Sequence, residues 1–233
     1  NAFDDVIIQQ LITALENVDA DNNVKVVILR SEGKHFSAGA DLGWMRRMAD
    51  NSRQENLDDS RELARLMNVL NHLSKPVIGL VQGAAFGGAV GLAACCDIVL
   101  ATDKASFCLS EVKLGLIPAV ISPYVVRAIG ERQARRYFLS AEVFTATQAQ
   151  EYGLVHIVCD DVEAMDARCN EMLQQLAING PEAMKSPAGS YRPPTAWAFA
   201  WSLSIPTPTP TRAMSPWLTK PSTSALPPAP RAT

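Results

Sequence analysis

Only three histidines occur in the 233 residues, with no C-x-x-C pair and no G-x-S-x-G element. His35, His72 and His156 lie far apart, so no metal site of ordinary spacing is expected and a serine hydrolase has little support. Neither G-x-G-x-x-G nor G-x-x-x-x-G-K-[ST] is present, which removes the best warrants for binding a dinucleotide or nucleotide phosphate. There is no run of eighteen apolar residues and no concentrated basic stretch, and the net charge is −3. Nucleic acid and membrane are therefore not expected partners. Charged residues are scarce at 19 %, whereas hydrophobic residues reach 48 %, enough for a substantial core. The five cysteines (Cys95, Cys96, Cys108, Cys159 and Cys169) form an odd set. They read as reduced, buried thiols in a reducing compartment, and a cytoplasmic location is expected.

Along the chain, Ile7, Leu11, Leu15 and Val18 recur at helical spacing and predict an amphipathic helix over Val6–Val18. Val24–Leu29 is β-branched and apolar, predicting a buried strand. A loop with Gly33 and Gly39 follows, then a helix from about Asp41 and a long polar helix from about Arg53 to Leu73. Lys75–Val81 reads as a strand, with Pro76 tolerated at its start. The glycine-rich stretch Gly83–Gly91 then leads into a buried helix ending near Cys96. Asp97–Ala101 and Val155–Val158 read as further strands. Strands alternating with helices predict an α/β fold with largely parallel pairing.

Three segments carry chemistry. In Phe36-Ser-Ala-Gly-Ala-Asp-Leu42 a strand feeds a tight turn at Gly39, and Asp41 is placed to cap the next helix. Gly87-Gly88 repeats the arrangement with no side chains at all. Each turn is accounted for as a capped helix start or as close packing; together, their free N–H groups are able to converge on one oxyanion. The third element is Glu111, in the apolar stretch Phe107–Pro118. If half-buried, its carboxyl group is tuned toward acid/base work; otherwise it pairs with Lys113 or Arg127 at a surface. Arg132, Arg135 and Arg136 read as a solvated helix face.

Phe36–Leu42, Gln82-Gly-Ala-Ala-Phe-Gly-Gly-Ala-Val-Gly-Leu92, Cys96-Asp-Ile98 and Ser110-Glu-Val-Lys-Leu-Gly-Leu-Ile-Pro118 together resemble the crotonase, or enoyl-CoA hydratase/isomerase, superfamily. Gly130-Glu-Arg-Gln-Ala-Arg135 and Ala149-Gln-Glu-Tyr-Gly-Leu-Val155 extend the likeness, which runs from Asn1 to about Lys185. The resemblance implies a crotonase-type spiral of repeated ββα units. It also implies an oxyanion hole made by the N–H groups of Ala40 and Gly88, with Glu111 as catalytic acid/base. Ala38, Asp41, Leu42, Gly87 and Gly91 are the expected substrate-binding positions. Coenzyme A is expected as part of the acyl-CoA substrate, with no separate cofactor, and a homotrimer or dimer of trimers is the expected assembly.

One departure stands out: Gly91 occupies the place of the second glutamate that hydratases use. The segments Phe86–Leu92 and Ile117–Pro123 look like the bacterial methylglutaconyl-CoA hydratase branch, whose substrates carry a second carboxylate. On that reading the missing side chain leaves room for a bulkier, polar acyl group. A single carboxylate equally suits an isomerase, and a non-catalytic acyl-CoA-binding protein is the alternative of another class.

From Ser186 to Thr233 the chain holds eleven of its fifteen prolines, three of its four tryptophans and no acidic residue. This Pro-rich segment resembles neither helices nor the family. The sequence therefore divides into a catalytic domain over 1–185 and an atypical tail over 186–233, read as disordered or frame-shifted. The family's helical C-terminal region is not recognisable there. The chain opens at Asn1 rather than Met, and the likeness to the family predicts further strands upstream of it.

Overall fold

The computed structural model describes residues 2–180 and residue 184. In chain order the elements are α1 (Asp5–Ala20), β1 (Val27–Leu29), α2 (Leu42–Asp50), α3 (Arg53–Asn71), β2 (Val77–Val81), β3 (Ala84–Phe86), α4 (Gly88–Cys95), β4 (Ile98–Thr102), β5 (Ser106–Cys108), a 3-10 turn (Glu111–Leu114), α5 (Ser122–Ser140), β6 (Val143–Thr145), α6 (Ala146–Tyr152), β7 (Ile157–Cys159) and α7 (Val162–Ala177). All of them fall within one compact unit, residues 1–192. The Pro-rich segment 186–233 and any helices expected there lie outside the described residues. No helix among the described residues is long and apolar enough to cross a membrane.

Two sheets organise the chain. β1, β2, β4 and β7 form a parallel sheet in the order β1-β2-β4-β7, and β3, β5 and β6 form a smaller sheet in the order β3-β5-β6. From β1 to α5, each spiral turn gives one strand to the large sheet, a second to the small sheet or its edge, and then a helix. β2-β3-α4 and β4-β5-α5 are the clearest repeats, and β1 with the isolated bridge Ser37↔Ala85 is a third. This is the expected ββα spiral. The three short strands of the small sheet were not legible in the sequence, because their three-residue length is too short for periodicity.

Burial corrects two expectations. In α1 the buried face is Ile8, Ile12 and Leu15 rather than Ile7, Leu11, Leu15 and Val18. Leu15 is buried as expected, whereas Ile8 and Ile12 take the place of the half-buried Ile7 and Leu11 where α1 packs on α3. The predicted buried strand at Val24–Leu29 shortens to β1, which is an edge strand with Ile28 39 % exposed. By contrast β2, between two neighbours, is buried throughout. All five cysteines are free; four are buried and Cys96 is half-buried. Burial pushes the Cys95 thiol up to about 12, which keeps it unreactive at neutral pH.

An aromatic cluster braces the small sheet against α5 and α6. The Phe107 and Phe144 rings stack at 5.5 Å, Tyr137 lies 4.5 Å from Phe144, and the Tyr137 and Tyr152 hydroxyls are 3.2 Å apart. Phe107 on β5 lies four residues before Glu111 in the chain. Phe144 is fully buried, and Phe144→Ala is expected to cost about 3–5 kcal/mol of stability, measured by urea denaturation.

Candidate active site

The first donor is fixed by backbone pairing. Phe3 N–H donates to Gly39 C=O at 3.0 Å, and Phe3 C=O accepts from Asp41 N–H at 2.7 Å. These bonds make a parallel bridge between Phe3 and Ala40. In such a bridge the flanking groups face Phe3, so the N–H of Ala40 itself points to the opposite side. Among the described residues it has no acceptor. The same segment pairs with β3 through the bridge Ser37↔Ala85. Beyond that bridge both segments leave the extended conformation, at Gly39 (φ 108) and at Gly87 (φ 56), and lead on to Ala40 and Gly88.

The second donor is a helix start. Gly88 opens α4, and first-turn N–H groups have no acceptor within their own helix. The turn before it needs glycine: Gly87 has φ 56 and ψ −122, and a Cβ there would lie 3.4 Å from Glu111 Oε1. The Gly87 N–H is taken up by Cys108 C=O at 2.8 Å, so Gly87 shapes the site without adding a free donor. Two N–H groups can share one oxygen that lies ~2.9 Å from each.

Glu111 completes the arrangement. It begins the 3-10 turn, which Gly115 closes by donating to the carbonyls of Glu111 and Val112. Its carboxylate lies against Gly87, one residue from the Gly88 donor. Oε2 is buried and has no hydrogen-bond partner among the described residues. Neither partner considered from the sequence takes it up. Arg127 instead bonds Asn71 and lies 5.9 Å from the Tyr124 ring, and Lys113 is exposed. Burial raises the Glu111 pKa above its ordinary 4.5, and a weaker bond from its own backbone N–H opposes this. A base must be ionised to act, so kcat/KM is expected to fall with acid along a limb whose midpoint lies above 4.5, read from a pH–rate profile.

Gly91 is where the structure changes the sequence reading. It is buried one helical turn along α4 from Gly87, and a Cβ there would lie 2.3 Å from Ile121 Cγ2 and 3.3 Å from Met67 Cε. The space opposite Gly91 is therefore occupied by apolar side chains. This corrects the expectation of room there for a bulkier, polar acyl group.

Of the remaining positions, Ala38 and Ala40 are exposed on one face of the extended segment, while Ser37 and Gly39 are buried. Asp41 caps α2, its carboxylate accepting from Trp44 N–H at 2.8 Å. Leu42 is the first residue of α2. His35 Nδ1 accepts from Ala84 N–H at 3.0 Å, which ties the loop after β1 to β3. Among the described residues no group of three His, Cys, Asp or Glu side chains is placed to hold a metal ion. Sequence reasoning missed Phe3, whose only signal was a hydrophobic residue just before the helix cap Asp4.

Fold and site together define a spiral α/β protein with the Glu111 carboxyl group set against Gly87, at the start of α4. The chain belongs to the enoyl-CoA hydratase/isomerase family, whose profile matches residues 1–195. The crystal structure of an enoyl-CoA hydratase from Shewanella pealeana is 51 % identical with a TM-score of 0.77, covering 80 % of this chain and 69 % of that one. An enoyl-CoA hydratase of Alternaria alternata is 35 % identical over 187 residues, or 78 % of this chain. The 2,3-dehydroadipyl-CoA hydratase of Escherichia coli is 34 % identical over 190 residues, covering 80 % of this chain and 71 % of its own. The chain spans 59 % of the length of the Alternaria relative.

Proposed function

We propose that this protein adds water to a 2,3-unsaturated acyl-CoA, giving the 3-hydroxyacyl-CoA. The thioester carbonyl oxygen sits between the N–H groups of Ala40 and Gly88, which stabilise the negative charge it gains as an enolate forms. Glu111 takes a proton from water as the oxygen attacks the β-carbon, then returns a proton to the α-carbon. The observation that carries this reading is the buried, unpartnered Oε2 of Glu111 beside Gly87 and the Gly88 donor. Ala38, Asp41 and Leu42 belong to the proposed binding loop, and coenzyme A enters as part of the substrate.

The acyl group proposed is branched and carries a second carboxylate, as in 3-methylglutaconyl-CoA. The Escherichia coli relative's name supports this class, because a dehydroadipyl thioester also carries a free carboxylate. Room for that group must lie away from Gly91, since Ile121 fills the space there. Assembly as a homotrimer or dimer of trimers, in the cytoplasm, belongs to the same proposal. Turnover on a panel of unsaturated acyl-CoAs tests it: rapid hydration of crotonyl-CoA with none of 3-methylglutaconyl-CoA would overturn the acyl assignment.

A second reading has one observation in its favour. With Ile121 filling the place of a second carboxylate, Glu111 alone can move one proton between two carbons, which is isomerase chemistry. Following water addition and double-bond migration on the same thioester separates the two. A binding protein without turnover would show neither.

A further inference from the structure

We infer that Phe3 is a positioning residue that sets both oxyanion donors at once, an inference that rests on Ala40 and Gly88 being those donors. Its backbone acts on the first. The Gly39 C=O and the Ala40 N–H belong to one planar peptide unit and point in opposite directions. By donating to Gly39 C=O at 3.0 Å, Phe3 fixes the plane of that unit and turns the Ala40 N–H away from itself. Its second bond, accepting from Asp41 N–H at 2.7 Å, holds the following peptide as well. A bond at the carbonyl end also polarises the N–H at the other end of the same unit.

The ring acts on the second donor. A Cβ built on Gly88 would lie 4.0 Å from Cδ2 and Cε2 of Phe3, so the ring edge rests against the start of α4. Phe3 is only 7 % exposed and sits in the same apolar cluster as Ile8, Ala85 and Ala89. It is anchored at once by Asp4, which caps α1 through Ile7 N–H at 2.8 Å. One residue therefore holds Gly39–Asp41 by hydrogen bonds and Gly88 by contact, and the gap between the donors depends on it.

The plainer role is a hydrophobic staple, in which Phe3, just before the cap, packs with Ile8 in the first turn of α1. The two roles predict different results. A staple affects stability alone, whereas a positioning residue also affects how strongly the bound carbonyl is polarised.

The test uses the full chain as wild type, Phe3→Leu and Phe3→Ala, each with a carbonyl-labelled cinnamoyl-CoA. The thioester C=O stretch is read by isotope-edited infrared spectroscopy, alongside kcat and KM on the best turned-over enoyl-CoA. In wild type the stretch moves to lower frequency on binding. Phe3→Leu, which keeps apolar bulk for the staple, is expected to reduce that movement and lower kcat ~10-fold with KM within a factor of about 3. Phe3→Ala is expected to lower kcat ~10²-fold, comparable to losing one donor. If Phe3→Ala does not fold, Phe3→Leu decides. Variants that lose thermal stability but keep the wild-type carbonyl shift and kcat would overturn the inference and leave only the staple. No shift in wild type itself would instead remove the oxyanion reading on which it rests.

Discussion

Glu111→Gln is expected to lower kcat by ~10²–10⁴-fold while leaving acyl-CoA affinity within a few-fold. Gln keeps the volume and the contact with Gly87 but can neither accept a proton from water nor return one. The same substitution is expected to stabilise the fold at neutral pH. Burial raises the native pKa of Glu111, so the native state favours the protonated form and holds the ionised form at a cost. The stability that this group contributes is fully present below the unfolded carboxylate pKa and is lost as pH rises through the raised native value. Gln escapes that loss. Melting temperatures compared at neutral pH and near pH 4 should show Gln ahead at neutral pH and the gap narrowing in acid. A variant that retained wild-type turnover would exclude Glu111 as the acid/base.

Gly91→Glu is expected to destabilise the protein by about 3 kcal/mol or more. Its Cβ would fall 2.3 Å from Ile121 Cγ2 and 2.8 Å from Ile121 Cβ, closer than packed atoms allow, and its carboxylate would be thrust among Ile121 and Met67. Ile121 also precedes α5, so pushing it aside disturbs the α4–α5 contact. Combining the change with Ile121→Ala vacates the space and should recover part of the stability. The double variant then carries a second carboxylate one helical turn from Gly87, near Glu111. It should favour water addition over double-bond migration relative to Ile121→Ala alone. Chemical denaturation and product ratios check the two halves. A Gly91→Glu protein as stable as wild type would mean that Ile121 is not the occupant.

Much of the site was legible because its chemistry lies in the backbone. The turns at Gly39–Asp41 and Gly87–Gly88 announce themselves through residues that only such turns need, and the Asp41 cap was readable from its place before an apolar run. Glu111 was legible as a carboxyl in an apolar stretch. Whether it was paired was not, because that depends on where Arg127 and Lys113 point. β3, β5 and β6 escaped notice because three residues leave no pattern, and the face of α1 was misread at Ile7 and Leu11 because α3 chose it.

By itself the sequence determined the order of strand, turn and helix, the glycine turns at Gly39 and Gly87, and Glu111 as a carboxyl group in an apolar stretch. These follow from local backbone preferences, which act over a few residues. The tertiary structure alone decided that the Gly39 turn and the Gly87 turn follow one shared bridge, Ser37↔Ala85, between residues forty-eight apart in the chain. It also decided that Gly91 faces Ile121 instead of open space, and that Phe3 lies against both Gly39–Asp41 and Gly88. Those are contacts between distant segments, settled by which side chains fill the same volume.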